Sequence, residues 1–146
     1  MGKQAYILPY GERRRLHNRA YRAQQRNHSE VCGVLVIDSD KRIELRFLSN
    51  RSDPPYKYRL SRMDIRTVRN SIAGQNRRIL GTFHSHPVGE AVPGPGDLAE
   101  GFFNGTELIY DVCALEARLW RRRNHGGRRI AKELPLVLDP RAKRAV

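Results

Sequence analysis

The residue types best able to do chemistry cluster in one short stretch. His84-Ser85-His86-Pro87 leaves the apolar run RILGTF, and Asp97 follows after the proline- and glycine-rich residues 87–96. Side chains at i and i+2 of an extended strand point to the same side, so His84 and His86 can offer two imidazole nitrogens to one metal ion. Asp97, returned by a stiff Pro/Gly loop to what reads as a helix start, can add an anionic oxygen. Two nitrogens and one oxygen leave the fourth tetrahedral position for water, the layout of a catalytic zinc rather than a closed structural one. Zinc lowers the pKa of such a water to about 7, and a carboxylate outside the metal shell must then carry the proton to a leaving amine. Glu30, just before the apolar segment VCGVLVID, is the candidate for that role. Each residue has an ordinary role when taken singly: an H-x-H on a surface, an aspartate capping its helix, a glutamate ahead of a strand. Their combination is what points to chemistry. His17, His28 and His125 have no partner spacing and receive no catalytic role.

The elements that must position these residues follow from periodicity. Residues 11–26, GERRRLHNRAYRAQQR, place Leu16, Ala20 and Ala23 at helical spacing with arginines over the rest, which predicts a helix. VCGVLVID (31–38) reads as a buried strand and KRIELRFLSN (41–50) as a half-buried one, joined as a hairpin by a turn at Asp38-Ser39-Asp40. The stretch Asn50 to Tyr58, with Pro54-Pro55, is a loop. Ser61 can cap a second helix with Asp64 in its first turn, an apolar stripe of Ile65, Val68 and Ile72, and Gly74 at its end. RILGTF (78–83) is a strand running into the histidines, 87–96 an irregular loop and DLAEGFF (97–103) a short helix. Residues 106–115, 116–123 and 128–134 read as three further strands, with a tight turn over Asn124 to Gly127. The pattern predicts one α/β domain over 1–146, a mixed sheet flanked by helices.

The bulk properties frame that reading. The 146 residues are enough for one ordinary domain with a real core. No apolar run is long enough to span a bilayer, and the first residues lack the apolar stretch and cleavage site of a secretory signal, so a cytoplasmic, soluble chain is expected. Cys32 and Cys113 do not have zinc-pair spacing and are expected as buried thiols rather than a disulfide. The net charge of +13 is carried mostly by arginine. Such a charge suits nucleic acid, an anionic membrane or an acidic protein, but it is spread along the chain as solvated faces would be. Charge alone carries no sequence or shape readout, so nucleic acid is not the expected main partner.

At this point the sequence resembles the JAB/MPN (JAMM) metallopeptidase family. That family's signature is an upstream glutamate, then H-x-H-P, a serine and, three residues on, an aspartate; Glu30, His84, Ser85, His86, Pro87 and Asp97 fall on it in order. SEVCGVLV is similar to its glutamate strand, and Asn50 to Ile65, with Asp53-Pro54, Tyr58 and Asp64, to its middle loop and helix start. The likeness covers roughly residues 5 to 134 and implies a cytidine-deaminase-like α/β fold, zinc as cofactor, His84, His86 and Asp97 as ligands and Glu30 as the proton carrier. It also implies hydrolysis of a peptide or isopeptide bond, at the C-terminal tail of a ubiquitin-like or sulfur-carrier protein as in bacterial single-domain members. Some of those members lie in antiviral defence operons, and E1- or E2-like operon partners belong to the same expectation. One position departs: the family's serine falls at Gly94. By resemblance that hydroxyl helps bind the catalytic water or steady the tetrahedral intermediate, and losing one such donor can cost on the order of a hundredfold in turnover. Two rivals follow. Gly94 favours an inactive scaffold of the same fold, and Val88-Gly89 after Pro87, with the positive charge, is similar to the DNA-associated RadC branch.

Overall fold

The computed structural model describes residues 5–53, 57–94 and 103–139. Among these, two α-helices and eight strands form a six-stranded mixed sheet and a small two-stranded one. The large sheet uses β2 (Cys32–Asp38), β3 (Ile43–Leu48), β4 (Arg77–His86), β5 (Thr106–Asp111), β6 (Glu116–His125) and β7 (Arg128–Leu134), in the order β3-β2-β4-β5-β6-β7. The β4–β5 pair is parallel and the other pairs are antiparallel. This is the expected single mixed-sheet α/β architecture.

Each face of the sheet is sealed by one helix. Helix α1 (Tyr10–Asn27) buries Leu16 and Ala20 against Leu35, Phe83, Leu108, Tyr110 and Leu119. Helix α2 (Arg62–Ser71) buries Ile65 and Val68 against Val34, Val36 and Ile79. Ser61 caps α2 as expected, its hydroxyl accepting from the backbone N–H groups of Met63 and Asp64. The arginines of α1 lie mainly outside, and Arg15 and Arg19 sit over the Phe47 ring at 5.2 and 4.4 Å. None of the described helices is long and apolar enough to cross a membrane.

Several boundaries differ from the sequence expectation for identifiable reasons. The strand predicted over 106–115 stops at Asp111, whose carboxylate accepts the backbone N–H groups of Cys113 and Ala114 at 3.0 and 3.1 Å and turns the chain. β6 continues through His125, and the turn contracts to Gly126-Gly127, both at positive φ (58° and 80°), a two-residue hairpin loop that glycine permits. Two short strands escaped periodicity altogether. β1 (Tyr6–Pro9) and β8 (Leu136–Asp139) pair in parallel across almost the whole chain. The helix expected at 97–103 lies outside the described residues except for Phe103, which opens a 3₁₀ turn, Phe103–Gly105. Cys32 is buried, but Cys113 is exposed, against the expectation of two buried thiols; neither forms a disulfide.

Strand β4 is pressed against β5 at Gly81, next to a bulge where the register with β2 shifts between Leu35 and Val36. A Cβ at Gly81 would stand 2.0 Å from the Thr106 carbonyl oxygen, which is main chain and cannot swing away. Gly81→Ala is therefore expected to lower stability by about 1–3 kcal/mol or more. Gly11→Ala, on α1 with nothing within 4 Å of the new methyl, should be neutral or slightly stabilising. Urea unfolding of the two variants checks the opposite signs.

Candidate metal centre

The last turn of register in β4 sets the site. Cys32 pairs with His84, and Val34 with Thr82, so Thr82, His84 and His86 share the α2 face while Phe83 and Ser85 face α1. His84 is fully buried and His86 half-buried, so the pair runs from the interior to the surface. Beyond Cys32 the pairing continues one step, the Ser85 N–H donating to the Val31 carbonyl at 3.0 Å. The Val31 N–H then donates to the Ser85 hydroxyl at 3.0 Å instead of to the partner main chain. Ser85, buried between the two histidines in sequence but on the other face, thus holds the segment that carries Glu30. Asn50 secures it from the second side, its amide donating to the Glu30 carbonyl (3.1 Å) and the Lys57 carbonyl (2.7 Å).

The two imidazoles have their Nδ1 atoms committed. His86 Nδ1 lies 2.6 Å from the Glu90 carbonyl oxygen, which can only accept, so that nitrogen carries a proton. His84 Nδ1 lies 2.6 Å from Glu107 Oε2, a buried carboxylate. With Nδ1 donating in both rings, each Nε2 presents a lone pair, and the two Nε2 atoms stand 3.1 Å apart. Two lone pairs at that separation repel unless a cation or a proton lies between them. This is the tautomer and convergence that metal-ligating histidines show, and the donor set fits a zinc ion. Among the described residues no three His, Cys, Asp or Glu side chains gather as a metal set. Asp97, the third ligand expected from the sequence, lies outside the described residues.

Three residues around His84 carry no role in the sequence reading. Glu107 accepts from the Thr82 hydroxyl (2.5 Å) and the Tyr58 hydroxyl (2.9 Å) as well as from His84. The Tyr58 ring stacks on the His84 ring, centroids 4.2 Å apart and planes within 15°. A sequence signal for Glu107 did exist, a lone carboxylate inside the otherwise apolar strand TELIYD, but nothing local says which side chain it meets. Burial, followed by the Glu107 and Glu30 carboxylates, pushes the Cys32 thiol up to about 12. Cys32 is therefore a neutral thiol at physiological pH, and both carboxylates lie within electrostatic range of it.

This geometry coincides with a family. A profile of prokaryotic homologs of the JAB domain matches residues 13–123, well over half of the sequence. The chain belongs to the prokaryotic JAB-domain family. Two desampylases are similar to this JAB-domain chain. That of Haloferax volcanii is 30% identical over 94 residues, 62% of this chain and 66% of the relative. That of Pyrococcus furiosus is 28% identical over 69 residues, 47% of this chain and 49% of the relative. The matched segments thus span only about half to two thirds of those proteins. Among solved structures, a Desulfitobacterium hafniense protein superposes with a TM-score of 0.71 at 22% identity, covering 92% of each chain. A JAB1/MPN domain protein of Archaeoglobus fulgidus superposes at 0.50 and 21% identity, over 93% of this chain and all of that one. At such identities the likeness concerns the fold.

Proposed function

We propose that this JAB-domain chain is a zinc-dependent hydrolase of a peptide or isopeptide bond at the C-terminal end of a ubiquitin-like or sulfur-carrier protein. The observation that carries the reading is the convergence of the His84 and His86 Nε2 atoms at 3.1 Å with both Nδ1 atoms donating elsewhere. His84 and His86, with Asp97 of the sequence motif, would hold the ion. When bound, zinc acidifies water toward a pKa of about 7 and polarises a carbonyl oxygen. Glu30 takes the proton from the attacking water on its carboxylate and passes it to the leaving nitrogen, so that the carbonyl carbon gains an oxygen and the amine departs neutral. The half-buried His86 gives the substrate bond a way in, while the buried His84 keeps solvent from the far side. Similarity to desampylases supports a ubiquitin-like substrate. The +13 charge supports an acidic one, because opposite charge raises encounter rates.

The test is cleavage of C-terminal fusions and lysine conjugates of ubiquitin-like and sulfur-carrier proteins by the zinc-loaded chain. Cleavage that a chelator stops and added zinc restores is the expected result. Gly94, in place of the family's serine, favours a second reading, a scaffold that keeps the metal without turnover. Stoichiometric zinc with no cleavage across the panel would select it.

A further inference from the structure

We propose that Glu107 is a positioning residue for His84, fixing the ring's tautomer and, with the stacked Tyr58, its plane. The inference rests on the zinc-site reading above and extends it to a residue outside the motif. Glu107 lies within β5, fully buried, one strand away from His84. A buried carboxylate is costly unless its lone pairs are met, and here three donors meet it: Thr82 Oγ1 on Oε1, and Tyr58 Oη and His84 Nδ1 on Oε2. Replacing a buried ionic group by apolar residues is often neutral or stabilising, so fold stability alone gives little reason for a glutamate in the strand TELIYD. The arrangement does give a reason. The carboxylate accepts the Nδ1 proton and so turns the Nε2 lone pair toward His86, while the stacked Tyr58 ring holds the imidazole plane and ties the 57–60 segment to the same carboxylate. Removing such an outer partner of a ligating histidine typically weakens metal binding by about 10–100-fold.

Two measurements test this on the full chain. The first is ¹⁵N NMR of the histidine rings without added metal. His84 is expected with the proton on Nδ1; a proton on Nε2 in the unaltered protein overturns the proposal. This readout needs no variant and does not depend on zinc. The second is zinc affinity by chelator competition. Glu107→Gln keeps the volume and one acceptor oxygen but turns the other into an amide that cannot accept, and it is expected to weaken zinc binding by about 10–100-fold in protein that remains folded. Tyr58→Phe keeps the stacked ring and removes one donor, and it should weaken binding by less than Glu107→Gln while leaving the Nδ1 tautomer. A folded Glu107→Gln protein with unchanged zinc affinity overturns the proposal. If the unaltered chain binds no zinc at His84 and His86, the zinc-site reading fails, whereas the tautomer result still decides how Glu107 holds His84.

Discussion

The double variant His84→Ala/His86→Ala is expected to bind no zinc, whereas the unaltered chain is expected to carry about one ion per protein molecule, as the proposed three N/O ligands and one open position imply. This is the largest effect expected of any change in the molecule, because two of the three proposed ligands vanish together. The single variants separate the contributions. His86 is half-buried and its Nδ1 donates to the Glu90 carbonyl in an exposed contact, so His86→Ala should fold normally and lose the ion. His84 is fully buried against Glu107, and His84→Ala removes one partner of a buried ion–imidazole contact. Leaving the buried Glu107 carboxylate without that donor costs about 1–3 kcal/mol, so that variant should also melt early. Asp97→Ala should weaken zinc binding strongly. The measurement is metal content after dialysis, with thermal unfolding alongside. Zinc retained in full by the folded double variant would falsify the site.

Glu30→Gln should keep its zinc and lose hydrolysis by about 10²–10⁴-fold, the usual contribution of a positioned general acid–base group. The substitution is nearly isosteric, and the contact that places the segment, the Asn50 amide to the Glu30 carbonyl, is a backbone contact that glutamine preserves. The Val31 N–H to Ser85 hydroxyl contact is likewise untouched. What changes is the ability of the side chain to accept and release a proton. Single-turnover cleavage at matched zinc occupancy, together with metal content, reads the two properties separately. Loss of the ion along with activity would make Glu30 a ligand or a structural prop. Full activity in the variant would pass the proton to another group.

Much of this molecule was legible in one dimension because the governing interactions are local. Alternation at i and i+2 put His84 and His86 on one face of β4, and helical spacing of Leu16 with Ala20, and of Ile65 with Val68, marked both packing helices. Ser61 announced its helix by a cap that reaches only two and three residues ahead. The motif joining Glu30 to His84, His86 and Asp97 was read from the family resemblance; the structure sets the two histidines together, and Asp97 lies outside the described residues. The tertiary structure decided what depends on pairing between distant segments. The parallel β4–β5 register brings Glu107 beside Thr82 and, through it, beneath His84, and no pattern within TELIYD specifies that neighbour. Tyr58 reaches His84 from a loop, where side-chain direction has no period to read. β1 and β8 are each four residues long, too short for alternation to register, and exist because they find each other from opposite ends of the chain. Periodicity reports which face of an element is apolar; it does not report which element will cover that face, and the environment of His84 is set by that second choice.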